Sequence, residues 1–310
     1  MTPASALARF WGAWLAQKQH HICAAPPSGS VEIHPLVLGE SRVLLVKGAG
    51  GWGEARLVAG YASDPELAVE AALEAALLGP LPPLREVLEL NALVEKVSLL
   101  PQDLGSYSCV KVKVGRAPID TEVSFLSQLR DLVGQGVAIR VDANGSWGLE
   151  EARVALERMA RIGIAYAEQP VRTIAEMAKL RRSVDVPLAA DECVRSLEDL
   201  RLLRRLGGAD VLVIKVAPVG GPRRAMELAE SFGGPVTVSS MMETSVGLAV
   251  GAWLAAALPG PPLPCGLATL GVGGPDIALE PLVPQGGKLY PRPVEPDPAL
   301  LEMYRYRCCG

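Results

Sequence analysis

From about residue 107 the chain repeats one pattern: a short β-rich run, a polar residue near its end, then an amphipathic helix. The polar residues are Lys113, Asp142, Glu168, Asp191, Lys215 and Ser239, at steps of 29, 26, 23, 24 and 24 residues. One strand plus one helix with its turns has about that length, so the repeat argues for parallel βαβ units. The runs are SCVKVKVG, VAIRVDANG, IAYAEQP, VPLAADE, DVLVIKVAP and PVTVSS. Apolar spacing predicts helices over 120–133, 149–162, 174–184, 196–206 and 222–232. No strand is followed by the GxGxxG of an open dinucleotide-binding sheet, so an α/β fold of the TIM-barrel kind is expected.

The first hundred residues read differently. SRVLLVKGAGGWGEA (41–55) predicts strand, glycine turn and strand, and 64–79 predicts a helix capped by Asp64. GPLPPL then breaks the chain. This is a small α+β unit over 1–98, with 1–20 as an extension, ahead of a barrel over 99–285 and a C-terminal segment over 286–310.

Composition narrows the partners. A net charge of −4 and pI near 5.6 offer no basic footprint for nucleic acid or an anionic membrane. VGLAVGAWLAAAL (246–258) is too short to span a bilayer and reads as a core helix. Six cysteines without a CxxC pair predict a reduced, cytoplasmic protein. The three histidines, His20, His21 and His34, lie far from the repeat, which disfavours a His-based metal site or a Ser-His-Asp triad. A small-molecule ligand is the expected partner; oligomeric state is left open.

KVKVG places Lys111 and Lys113 on one strand face. Taken alone, such a pair is a solubilising surface feature. Asp142 alone could be a turn residue, Glu168 the start of a loop, and Asp191–Glu192 a helix cap. Lys215 is bracketed by apolar residues, which is harder to dismiss. At one-unit spacing the set predicts a barrel rim carrying Lys-x-Lys, Asp, Glu, Asp and Lys on successive strands. Three converging carboxylates repel one another unless a cation sits among them. Oxygen-only donors point to Mg²⁺, with Mn²⁺ as substitute. Lys113 is then the expected base, with Lys111 tuning and orienting it, because burial and neighbouring positive charge favour the neutral amine. A cation on a substrate carboxylate would stabilise the enediolate left after α-proton removal.

KVKVG, RVDANGSW, YAEQP, LAADE and IKVAPVGG resemble the enolase superfamily, in its muconate-lactonising-enzyme-like subgroup. KVAPVGG, VSSMMETSVGLAVGAWLAAALP and CGLATL resemble more closely the o-succinylbenzoate synthases of actinobacterial type, from about Trp52 to about Pro284. The resemblance implies an α+β cap over a modified (β/α)7β barrel, with the C-terminal segment returning to the cap. It implies Mg²⁺ on Asp142, Glu168 and Asp191. It also implies Lys113 as base and acid in a syn dehydration, and Lys215 on the opposite face of an anionic substrate. The reaction would convert 2-succinyl-6-hydroxy-2,4-cyclohexadiene-1-carboxylate to o-succinylbenzoate in menaquinone biosynthesis. Ser239, Ser240 and Gly266 would face the succinyl tail. Arg140, Asn144 and Glu192 would surround the ligands, Arg140 either supporting them or forming a structural ion pair.

Related synthases usually carry arginines in the cap loop over the substrate. Here 23–40 has none, and His34 reads as an exposed loop histidine. The same residues would serve an N-acylamino acid racemase or a dipeptide epimerase, although the DxD motif usual in the latter is missing. A barrel that only binds a ligand is a further alternative.

Overall fold

The computed structural model describes residues 31–57, 64–94, 103–272 and 274–306. The expected extension at 1–20 and the first part of the 23–40 segment lie outside the described residues, as do His20, His21, Cys23, Cys308 and Cys309.

Strands β1 (Glu32–Leu38), β2 (Ser41–Gly48) and β3 (Gly51–Leu57) form an antiparallel sheet in that order. Helix α1 (Pro65–Leu78) lies across it. Asp64 caps the helix, its carboxylate accepting from Glu66 N at 2.9 Å. Close approach explains GAGGWG: a Cβ at Gly53 would sit 2.0 Å from the Ala72 carbonyl oxygen.

The segment 23–40 was expected to be a loop, but Glu32–Leu38 is a strand. Pro35 and His34 break its apolar alternation. Pro35 is tolerated because β1 is the edge strand of this sheet. That edge is closed by the C-terminal segment, where Val37 N donates to Tyr304 O at 2.9 Å and Tyr306 N to Pro35 O at 2.8 Å. His34 is therefore a half-buried strand residue whose ring lies 5.3 Å from that of Trp52, tilted by 47°. Burial lowers its pKa.

A seven-stranded parallel sheet follows. Its strands are β5 (Asn91–Val94), β6 (Cys109–Lys113), β7 (Ala138–Asp142), β8 (Tyr166–Glu168), β9 (Leu188–Ala190), β10 (Val211–Ile214) and β11 (Val236–Val238), in chain order across the sheet. Parallel bridges Leu90↔Cys265 and Ser239↔Gly266 join the two outer strands through one extended segment, which closes the barrel. The two-residue strand β4 (Leu88–Glu89) pairs with β12 (Lys288–Leu289) below it. Strand β5 belongs to the barrel sheet although it precedes the expected division at 98/99. Its four residues carry no charged end, so the repeat did not reveal it.

The connecting helices are α2 (Ile119–Val133), α3 (Leu149–Ala160), α4 (Ile174–Arg181), α5 (Leu197–Leu206), α6 (Pro222–Phe232) and α7 (Ser245–Ala257). They start within a residue of the expected positions; side-chain caps mark α4, with its Thr173–Glu176 capping box, and α5 and α7 through Ser196 and Thr244. Helix α7 is buried along most of its length. Among the described residues no helix is long and apolar enough to cross a membrane. The last helix, α8 (Pro298–Met303), lies in the segment that returns to β1.

Candidate active site

Counting the closing segment, the barrel has eight positions around its axis. Strands β6 and β10 are four positions apart, so Lys113 and Lys215 stand across the mouth from each other. On one side between them run β7, β8 and β9. On the other run β11, the closing segment and β5.

The first side carries the carboxylates. Parallel register sets Asp142 level with Lys113 on one side and with Glu168 on the other. Asp191 directly follows β9 and Lys215 directly follows β10. All three carboxylates are buried. Lys111 Nζ lies 2.9 Å from Asp142 Oδ2 and 2.7 Å from Glu168 Oε1. Lys113 Nζ donates to the same Asp142 oxygen at 2.7 Å and to Asn144 Oδ1 at 2.9 Å. Lys215 Nζ reaches Asp191 Oδ2 at 2.5 Å.

These contacts sort the charges. Burial would raise the pKa of Asp142, but Lys111 and Lys113 prevail and hold it far below the usual range. Glu168 is pushed up to about 7 by burial and then by the charge of Asp142. Burial also raises Asp191. Burial opposes the charges on Lys111 and Lys215, yet the carboxylates around them raise both.

Backbone strain is concentrated on this rim. Among the described residues the non-glycine positions with left-handed φ are Asn144, Gln169 and Met242, each just past a barrel strand. Gln169 uses its position to tie two ligand strands: its Oε1 accepts from Asp191 N at 2.9 Å and Cys193 N at 3.3 Å. Asn144 links Lys113 to Glu192, donating to Glu192 Oε1 at 2.9 Å. The other oxygen, Glu192 Oε2, is buried without a hydrogen-bond partner among the described residues.

The orphaned oxygen bears on metal binding. As they stand, no three His, Cys, Asp or Glu side chains among the described residues are placed to hold an ion. Ammonium groups take up the carboxylate oxygens instead. The donor set nevertheless fits a hard divalent cation: oxygens only, from adjacent strands. Two of its carboxylates are driven toward protonation by burial, and an unpaired carboxylate oxygen lies beside them.

Arg140 does not join this group. Its guanidinium donates to Pro264 O at 2.9 Å and Asn91 Oδ1 at 3.4 Å, and lies 4.8 Å from the Tyr166 ring centre. Its direct hydrogen bonds among the described residues go to neither Asp142 nor another carboxylate. Two residues back along a strand is about 6–7 Å deeper in the barrel, where it ties β7 to β5 and the closing segment.

The second side is neutral. Ser239, Ser240, Gly266 and Asn91 share a cavity of about 40 Å³ with Lys111, Lys113 and Lys215. Ser240 Oγ and Thr269 Oγ1 are hydrogen-bonded at 2.6 Å. A Cβ at Gly266 would lie 2.6 Å from Ser239 Oγ, so glycine there lets the closing segment meet β11. Beyond the carboxylates, Arg116, Arg172 and Arg195 line a larger cavity of about 520 Å³ with Asp191 and Lys215. These arginines were missed, though each follows a site residue by three or four positions.

Comparison with known proteins agrees with this architecture. The model for enolase C-terminal domain-like proteins matches residues 92–296. The o-succinylbenzoate synthase of Thermobifida fusca (strain YX) is 41% identical over 264 residues, covering 81% of this chain and 82% of that protein. The o-succinylbenzoate synthase of Mycobacterium ulcerans (strain Agy99) is 39% identical over 269 residues, 84% of this chain and 81% of its own. The muconate cycloisomerase structure from Pseudomonas fluorescens superposes with a TM-score of 0.77 at 22% identity, covering 90% of this chain and 98% of that one.

Proposed function

The chain belongs to the o-succinylbenzoate synthases of the enolase superfamily, and from that premise we propose that it dehydrates 2-succinyl-6-hydroxy-2,4-cyclohexadiene-1-carboxylate to o-succinylbenzoate. The proton chemistry in this reading rests on two lysines that face each other across a barrel mouth with three carboxylates on successive strands between them, and the choice of dehydration rests on the 41% identity to a synthase.

Asp142, Glu168 and Asp191 would hold Mg²⁺. When bound, it supplies positive charge to a substrate carboxylate whose α-carbon loses a proton. Lys113 takes that proton and passes it to the hydroxyl leaving from the same face, so water departs and the lysine returns to its starting state. Lys111 pairs with Asp142 and Glu168 and holds them in place, and Asn144 orients Lys113. Lys215 remains an ammonium, because its carboxylate neighbours raise its pKa. From the far side it steadies the charge that builds in the ring. Ser239, Ser240 and Gly266 wall the neutral side against the rest of the substrate. The setting is reduced and cytoplasmic, in line with the free cysteines Cys109, Cys193 and Cys265, and the pathway is menaquinone synthesis.

The opposed lysines would equally serve a racemase, which exchanges a proton between faces. The deciding assay supplies the cyclohexadiene and, separately, an N-succinylamino acid, each with Mg²⁺. Rapid dehydration with little racemisation is expected. Racemisation without dehydration overturns the reading.

A further inference from the structure

GWGE, and the METSVG that follows Ser239 and Ser240, are not used by the mechanism above, yet in the fold they meet. We propose that Glu54 of the cap is a positioning residue for the reaction: it locks the rim segment 239–244 that walls the neutral side of the cavity. The proposal deepens the dehydratase reading and rests on it.

Glu54 is buried on β3. Both of its oxygens lie 3.1 Å from Thr244 N, and Oε2 also accepts from Thr244 Oγ1 at 2.5 Å and Gly247 N at 3.0 Å. These amides open α7, where a carboxylate satisfies donors that lack helical partners and opposes the helix dipole. Gly247 makes room: a Cβ there would sit 2.5 Å from Glu243 Cβ and 3.1 Å from Glu54 Oε2. Arg56 Nη1 stands 4.0 Å from Glu54 Oε1.

The turn before α7 is held the same way. Met242 is left-handed, with φ 61°, and Glu243 folds back so that its carboxylate accepts from Met241 N at 2.6 Å. From there the chain runs directly into Met242, Ser240 and Ser239, which line the cavity with the three lysines. A helix cap alone would need only Thr244, whose hydroxyl already accepts from Val246 N at 3.3 Å. A cap-domain carboxylate across the joint adds something else: docking of the cap fixes the reaction wall.

The charged groups facing Glu243 among the described residues are Glu54 and Arg56, both on β3. Burial and then Glu54 push Glu243 up to about 7. At higher pH the two carboxylates repel, and the turn should loosen.

The test compares Glu54→Asp, Glu54→Gln, Glu54→Ala and Glu243→Gln by steady-state kinetics against pH and by amide exchange over 240–247. Glu54→Asp keeps the charge but withdraws the reach, and it serves if Glu54→Ala does not fold. Expected are faster exchange at Thr244 and Gly247 and a roughly tenfold to hundredfold loss in kcat/KM, largely in KM, for a wall displaced by about an ångström. Glu54→Gln should fall between wild type and Glu54→Ala. Glu243→Gln should remove the decline in kcat/KM above pH 7. A Glu54→Asp enzyme that loses melting temperature but keeps KM and the pH profile overturns the proposal, as does unchanged exchange. If wild type shows no turnover while exchange in Glu54→Asp accelerates only over 240–247, the dehydratase reading fails and the latch stands.

Discussion

The two halves of the barrel mouth solve opposite problems. Across β7, β8 and β9 each strand end brings a buried carboxylate, and the charge has to be met by Lys111, Lys113, Lys215 or a cation. Across β11, the closing segment and β5 the side chains are Ser239, Ser240, Gly266 and Asn91, which need only hydrogen bonds and close approach. Buried charge is costly unless paired, so the first half tolerates few residue types. The neutral half tolerates many. On the proposed reading, chemistry falls to one half and shape to the other.

The difference can be broken experimentally. Lys113→Ala should have the largest effect, lowering kcat by about 10³–10⁴-fold, while calorimetry shows Mg²⁺ binding largely intact. Retained turnover would remove Lys113 from its role. Asp142→Asn should weaken Mg²⁺ by roughly 10²-fold or more, since even outer contacts to a metal contribute 10–100-fold. Chelation should silence the wild type and added Mg²⁺ restore it.

A third effect comes from behind the neutral half. The folded protein holds the Glu243 proton up to a pKa of about 7, against an ordinary 4.5. The stability this contributes is complete below 4.5 and is lost as pH rises through 7, on the order of 3 kcal/mol. Melting temperature should fall between pH 4.5 and 7, and Glu243→Gln should lessen that slope while leaving the part due to Glu168. The smallest change is expected from Ser240→Ala, which removes one hydrogen bond and should raise KM about two- to tenfold. If it matched Asp142→Asn, the division into a charged and a neutral half would be wrong.

Legibility followed the same division. Lys113, Asp142, Glu168, Asp191 and Lys215 could be found because a buried ionisable residue at a strand end is rare and the βα unit repeats it at near-constant spacing. The cap hairpin was readable from its turn, and the helices from their apolar spacing, with side-chain caps marking some of their starts. Strand β1 was hidden by His34 and Pro35, and β5 by its shortness. Arg140 reaches Pro264 and Asn91 instead of Asp142, because a shared strand face does not give depth along the barrel axis.

What the order of residues determined alone was local and periodic: the βα repeat, the charged strand ends, and a chemistry of two amines with three carboxylates. Only the folded chain decided which distant segments touch. Glu54 meets Thr244 across 190 positions, and Cys265 and Gly266 close the barrel against Leu90 and Ser239. Such contacts depend on backbone shape and on which buried donors still lack a partner, and both quantities exist only once the layers have packed.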